Sequence, residues 1–437
     1  MNNIVTLFEY QSKKFETDNQ DFYDKENDRL ILTNKTIEEL KKLSERKLIE
    51  IKWKEIKALN YVGVIKAGDI TIEIFPKFLK EGNEKELKEI ASKNLLKMLE
   101  YTQKWRFKEI DYVNLEKVEH DFFEILIHLF ARNLLSLLKV KQNYEYVRKR
   151  EELRFVKGRI DFARYTNPAR LHIIPCIHYE RSMDNLINRT LKYTCYLLSR
   201  ITELPENYLM LRRILDILDG VTLTPVTLQE INRITFNRLN ADFKPFIDIC
   251  KLILERSTLT LQASKIETFS LMIPMETLFQ DFIAGLISNK GIHKEFFGEN
   301  SKLLIQRKIG NFAEKDGEGL FKIKPDIAIK VGNDIKLIID TKYKPLDPKR
   351  DDLGISHQDV YQIYAYCKGS GAKQALLLYP DNLADVDENK LKTPFKLGKD
   401  RDIELFVGIV PLHYDLTDKD KFNAFVDEIK EILKRVS

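Results

Sequence analysis

The stretch KPDIAIKVGNDIKLIIDTK, from Lys324 to Lys342, carries the reading of this chain. An aspartate, Asp326, follows a proline. A short apolar run and a turn come next, and a second apolar run ends in Asp340-Thr341-Lys342. Side chains alternate along a strand, so Asp340 and Lys342 share one face. Asp326 is expected inside the first strand, and antiparallel pairing can carry it towards that face. Two carboxylates and a lysine so placed can serve a metal-dependent nuclease. They can also be ordinary charges at the ends of an exposed hairpin, because Asp and Lys are common there. Context favours the first reading. Asp340 follows IKLII, a run of buried character, and a carboxylate there is costly unless paired or metal-bound.

Bulk properties frame that choice. The 437 residues suffice for two or three domains. Hydrophobic content of 43% with 32% charged residues is globular. Net charge is +5, from 72 basic and 67 acidic residues, which permits nucleic-acid binding without arguing for it. Cys176, Cys195, Cys250 and Cys367 lie far apart and form no CxxC pair. These cysteines look like neither a zinc site nor a disulfide framework, and a reducing cytoplasm is the default. MNNIVTLFEYQSKKFE lacks the basic-then-apolar order of a signal peptide. FFEILIHLFARNLLSLL, from Phe122, is broken by Glu124, His128, Arg132 and Asn133, so it reads as a packed helix and not a membrane span.

Along the chain, residues 1–85 read as a β-rich domain. TNKTIEELKKLSERK offers Thr36 as an N-cap with Glu39 three residues on, a capping-box pattern. YVGVIKAGDITIEIFPKF alternates about Ala67-Gly68-Asp69 and reads as a hairpin ended by Pro76. Residues 86–265 read as mainly helical, with a polar connection at Asp111 to Asn114 and an extended basic piece around Gly158. The polar segment TLQASKIETFS marks a boundary near residue 265. Residues 266–437 read as helix, antiparallel strands, helix and strand, with GNFAEKDGEGLF as a loop. That order gives a mixed α/β sheet flanked by helices, and a multidomain α+β chain overall.

Two helices flank the opening stretch. In HQDVYQIYAYC, Gln362 and Tyr366 are four apart and share a helical face, where they can contact a phosphate or support a metal-bound water. Tyr361 and Ile363 read as packing residues. Upstream, Glu276 and Gln280 are also four apart, and either can reach a metal shell or simply face solvent. RFVKGRIDFARY interleaves Lys157, Arg159 and Arg164 with aromatics, so it can track a phosphate backbone or be an exposed basic strand. Asp184 precedes a helix as a candidate N-cap, with Asn188 and Lys192 on one face after it. His172 and His178 read as structural, since no carboxylate or cysteine cluster accompanies them at ligand spacing. No G-x-x-x-x-G-K-[ST] loop occurs, so nucleotide hydrolysis by that route is not expected of this chain.

The combination of PD, then DTK, with a helix before and a Q-x-x-x-Y helix after, resembles the PD-(D/E)xK nuclease superfamily. YVGVIKAGDITIEIFPKF, VKGRIDFARY, CIHYERSMDNLINRTLKYT, MIPMETLFQDFI and DVYQIYAYC further resemble successive blocks of the McrC family, from about Tyr61 to Pro380. That family supplies the nuclease subunit of McrBC-type, modification-dependent restriction systems, which act in antiviral defence. The resemblance implies a C-terminal restriction-endonuclease-like domain and magnesium- or manganese-dependent cleavage of double-stranded, modified DNA. It implies an AAA+ GTPase partner ring, engaged and stimulated by the N-terminal part, and no membrane. By position, Asp326, Asp340 and Lys342 match the nuclease core, and Gln362 and Tyr366 match the following helix. One departure stands out. The family's L-F-E on the preceding helix is Leu278-Phe279-Gln280 here, so the neutral Gln280 or the nearby Glu276 must complete a metal site.

Two further readings compete. The chain can be a non-catalytic adaptor that stimulates an AAA+ ring and holds DNA, an idea that Gln280 sustains. It can also be a stand-alone repair nuclease, which the partner-like N-terminal two-thirds argues against.

Overall fold

The computed structural model describes residues 3–77, 83–102, 122–166, 168–262, 265–315, 318–381 and 391–437. The chain forms two compact units. One comprises residues 1–122, 259–261 and 267–437, and the other residues 123–258 and 262–266. It is a mixed α+β protein. Among the described residues, no helix is long and apolar enough to cross a membrane.

The first unit begins with a sheet of Phe22–Asp24, Arg29–Leu32, Ser12–Thr17, Glu55–Ala58 and Ile49–Lys52, in that spatial order. The helix Asn34–Glu45 packs Leu40 and Leu43 into the same core as Leu30, Leu32, Ile49 and Ile56. Its N-cap is Thr33, whose hydroxyl accepts from the Thr36 amide. Thr36 is therefore inside the first turn, contrary to the sequence reading, and its own hydroxyl donates to buried Asp21. The expected hairpin is present as Tyr61–Ala67 paired antiparallel with Ile70–Phe75. It sits in a second sheet, flanked by Ile4–Phe8 on one side and Lys265–Pro274 on the other. TLQASKIETFS is thus largely strand, in Ser257–Gln262 and Lys265–Pro274, and not a polar connector.

The last part of this unit is a six-stranded mixed sheet. Its order is Lys302–Ile305, Ile327–Val331, Asp334–Thr341, Gln374–Pro380, Ile403–Val410 and Phe395–Leu397. Asp334–Thr341, Gln374–Pro380 and Ile403–Val410 run parallel to one another, and the remaining pairs are antiparallel. Asp334–Thr341 is central, with Leu337, Ile338 and Ile339 wholly buried, which explains its unbroken apolar run. The helix His357–Ser370 buries Ile363 and Cys367 in the core that holds Ile338, Ala375 and Leu377. The helices Met275–Asn289 and Lys419–Lys434 complete this part, with Phe282 and Phe425 stacked at 5.8 Å. GNFAEKDGEGLF is not a plain loop. Its described residues form a separate two-stranded hairpin, Gly310–Lys315 with Glu318–Ile323.

The second unit holds the helices Leu186–Ser199, Pro205–Ile217 and Lys244–Arg256, most of Phe122–Val140, and a three-stranded sheet. The sheet orders Arg159–Ile160, Ile174–Ser182 and Glu145–Leu153. Glu124, 2% exposed, is satisfied by the Thr202 hydroxyl, the Glu203 amide and the Asn207 amide group. Asn185, and not Asp184, caps the helix Leu186–Ser199. Asp184 instead accepts from Arg189 and Thr222, and the Arg189 guanidinium holds its carboxyl well below the usual range. Asn188 donates to the carbonyls of Asn143 and Met183, and Lys192 donates to those of Leu218, Asp219 and Val221. Both therefore hold loops in place. The polar connection read at Asp111 to Asn114 lies outside the described residues.

Candidate active site

Register brings the two aspartates together. Ile327 pairs with Ile339 across the hairpin, so one further step sets Asp326 opposite Asp340. Asp326 lies just before the strand Ile327–Val331, and not inside it as the sequence reading had it. Its backbone carbonyl accepts from the Gln306 amide at 2.9 Å, and its side-chain carboxylate collects several further donors. Asp326 Oδ2 accepts from the Thr341 amide and hydroxyl, both at 2.8 Å. Oδ1 accepts from Gln280 Nε2 at 2.6 Å and Gln306 Nε2 at 2.9 Å. Burial raises the Asp326 carboxyl, and the Thr341 bonds work against that shift.

Asp340 is 2% exposed. Burial, and then the charge of Asp326, push its carboxyl up to about 6, with Lys342 opposing them. Lys342 Nζ lies 2.7 Å from Asp340 Oδ2, but that buried oxygen accepts no well-aligned hydrogen bond. The same ammonium donates to Gln362 Oε1 at 2.9 Å, and Gln362 Nε2 donates to the Tyr366 hydroxyl at 2.9 Å. Burial works against the Lys342 charge, but Asp340, Asp359 and Asp326 together raise its pKa. A raised lysine pKa means an ammonium at neutral pH, so this group can donate and cannot act as a base.

The donor set suits a hard divalent cation. Two carboxylates face each other with burial and mutual repulsion against both charges, and one buried oxygen is poorly satisfied. A cation between them relieves each of these costs.

The structure thus gathers these residues in two sets, Gln280 bonded to Asp326, and Lys342 joining Asp340 to Gln362 and Tyr366, with Thr341 on the strand between Asp340 and Lys342 also bonded to Asp326. Glu276, one turn before Gln280, is exposed, and it is Gln280 that bonds to Asp326. Lys157, Arg159 and Arg164 lie in the second unit, all exposed, beside exposed Phe155 and Phe162. Sequence reasoning missed Gln306, Thr341, Asp359 and Lys344. Asp359 is 7% exposed, 3.5 Å from Lys342 Nζ and paired with Lys344. Burial acts to raise the Asp359 carboxyl, but the bonds from Lys344 and Ser356 prevail and lower it. The Ser356-to-Asp359 capping spacing is visible in the sequence, and its partner lysines are not. Gln306 carries no comparable signal.

Comparison with known proteins places this chain in a family. The model of the McrBC 5-methylcytosine restriction system component matches residues 56–380. The chain belongs to that family. Every residue of these two sets, from Gln280 to Tyr366, falls inside the matched McrBC span. No curated protein matches the chain. Among solved structures, a half-complex from a tetradecameric assembly of Thermococcus gammatolerans McrB AAA+ hexamers with bound McrC matches at a TM-score of 0.65. Identity is 20%, over 99% of this chain and 100% of that one. The Thermococcus gammatolerans McrBC complex matches at 0.52 and 22% identity, over 65% of this chain and 87% of that one. At such identities these likenesses speak to the fold.

Proposed function

We propose that this chain is the DNA-cutting subunit of a McrBC-type restriction system, and that it works bound to an AAA+ GTPase ring. The observation that carries the reading is the pairing of half-buried Asp326 with buried Asp340, with Lys342 bound to Asp340. That arrangement at the end of a mixed sheet is the one expected of a PD-(D/E)xK nuclease domain. Family membership supports the restriction role, and the assembly of McrB hexamers with bound McrC supports the ring partner.

Asp326 and Asp340 would hold magnesium or manganese through carboxylate oxygens, with Gln280 offering its amide oxygen after rotation of the amide. The bound ion would supply Lewis acidity and lower the pKa of water at the scissile phosphate. The chain's own residues do the positioning. Thr341 and Gln306 fix the Asp326 carboxylate, and Gln362 and Asp359 aim the Lys342 ammonium. In hydrolysis, water oxygen bonds to phosphorus, one ester P–O bond breaks, and a proton ends on the leaving oxygen. The Lys342 charge offsets negative charge that grows on the phosphate in that step. The cluster at Lys157, Arg159 and Arg164 would contact the duplex backbone, and the N-terminal sheets would engage and stimulate the ring.

One observation favours a second reading. Gln280 puts a neutral amide where a third carboxylate would strengthen the metal site, which suits an adaptor that stimulates a ring and holds DNA without cutting it. Plasmid cleavage with an McrB-type ring, GTP and magnesium separates the two. Wild type should linearise methylated plasmid, and folded, ring-binding Asp340→Ala or Lys342→Ala should lose about a hundredfold or more. Full cleavage by either variant would refute the site. Ring stimulation without any wild-type cleavage would favour the adaptor.

A further inference from the structure

A second cluster, in the other unit, shares no residue with the aspartate pair. His178 is 4% exposed, and neither ring nitrogen has a hydrogen-bond partner. Two features of the fold create this. The antiparallel register pairs Cys176 with Glu151 and His178 with Lys149, so Glu151, Lys149, His178 and Glu180 share one face of the sheet. Gly158, at φ +74°, lies directly over the histidine. A Cβ at residue 158 would fall 2.9 Å from the His178 Cβ and 2.6 Å from the Ile177 carbonyl. Only glycine lets the backbone lie this close, and that closeness helps bury the imidazole.

The buried ring is aimed at carboxylates. His178 Nε2 stands 3.6 Å from Glu151 Oε2, too far for a good hydrogen bond. One donor atom from each of Glu151, His178 and Glu180 lies within 4.8 Å of the other two. Lys149 pairs with Glu180 and approaches Glu151 Oε1 at 4.0 Å. Cys176, on the same face, takes no part. Its sulfur contacts the Phe155 carbonyl at 3.8 Å and the Lys157 amide at 3.4 Å. The sequence reading passes over His178 because no carboxylate cluster stands at ligand spacing. Glu151 comes from another strand, 27 positions away, and only the sheet brings it in.

We propose that Glu151, His178 and Glu180 bind one divalent transition-metal ion, with zinc the best fit. One imidazole nitrogen and two carboxylate oxygens suit zinc better than magnesium, which avoids imidazole. Tetrahedral donors stand about 3.3 Å apart, so the glutamates must close in by up to about 1.5 Å. Both have half-exposed, rotatable side chains that allow it. The fourth position faces solvent and takes water. The ion replaces Lys149 as the partner of Glu180. It ties Glu145–Leu153 to Ile174–Ser182, the strand that also pairs with Arg159–Ile160 in the basic cluster.

The test is equilibrium dialysis of the full chain against zinc, with metal analysis and a parallel thermal melt. The aspartate pair is the same in every protein compared, so it cancels. Wild type should hold one more zinc per chain than His178→Gln, and zinc should raise its melting temperature more. Glu151→Gln and Glu180→Gln change half-exposed side chains and should fold; each should weaken that zinc at least tenfold. Lys149→Met, which removes the competing cation, should tighten it. Equal zinc content and equal melting shifts in wild type and the glutamine variants would overturn the proposal. So would a difference seen with magnesium and not with zinc.

Discussion

Gln280 Nε2 donates to Asp326 Oδ1 at 2.6 Å, tying the helix Met275–Asn289 to the first aspartate of the pair. A glutamate at that position would put a third negative charge within contact distance of Asp326. Without a divalent ion, repulsion should destabilise the site; with one, a third oxygen donor should bind it more tightly. Gln280→Glu should therefore melt below wild type in chelator and gain more from added magnesium. A melting series against magnesium concentration reads both effects, since stabilisation follows the logarithm of ligand over Kd. An unchanged response to magnesium would show that Gln280 lies outside the metal shell.

How much of this is legible in the sequence depends on distance along the chain. Asp326, Asp340 and Lys342 belong to one hairpin, so local register alone brings them together. Gln306 and Asp359 join through contacts between separate elements; the cap spacing from Ser356 marks Asp359 as a helix-start residue, but no short-range pattern announces its lysine partners, or Gln306 at all. The strand Lys265–Pro274 escapes a pattern search because Phe269 to Ile273 are all buried, leaving no alternation to detect. The hairpin Gly310–Ile323 escapes it for the opposite reason. Most of its residues are exposed, so it too lacks an apolar stripe. Thr36 resembles a cap because it precedes the apolar periodicity, but Thr33 starts the helix three residues earlier.

Glu9 gives a pH dependence. It is 4% exposed and accepts from the Tyr343 hydroxyl at 2.7 Å and the Lys77 amide at 3.3 Å. Burial pushes its carboxyl up to about 7 from 4.5, although both bonds pull the other way. An acid with a raised folded pKa adds stability below its unfolded pKa and loses it as pH climbs through the folded one. Wild type should thus lose about 3 kcal/mol from this group between pH 4.5 and 7.5. Glu9→Gln keeps both donors a carbonyl partner and does not titrate. Its melting temperature relative to wild type should rise from pH 5 to pH 8. A gap that stays constant over that range would mean Glu9 does not titrate there. Tyr343 directly follows Lys342, so the same variant should also be compared in the cleavage assay.

Gly285 tests the packing behind the site. It lies on the helix Met275–Asn289, five residues after Gln280, where a Cβ would fall 1.7 Å from the Tyr101 carbonyl oxygen. Tyr101 ends the helix Glu84–Tyr101, and its ring meets Phe282 edge-on at 6.1 Å. Alanine ordinarily favours a helix over glycine by about 1 kcal/mol. Here the contact is with backbone, which no rotamer change can relieve, so the two segments must move apart. Gly285→Ala should destabilise the protein by about 2 kcal/mol or more, the penalty for overpacking exceeding the propensity gain. The same displacement should shift Gln280 from Asp326 and reduce cleavage. Gly220→Ala is the control, because a Cβ added there would meet nothing within 4 Å. A melt that ranks Gly285→Ala level with Gly220→Ala would show that the helices are free to separate and that Gly285 does not set their spacing.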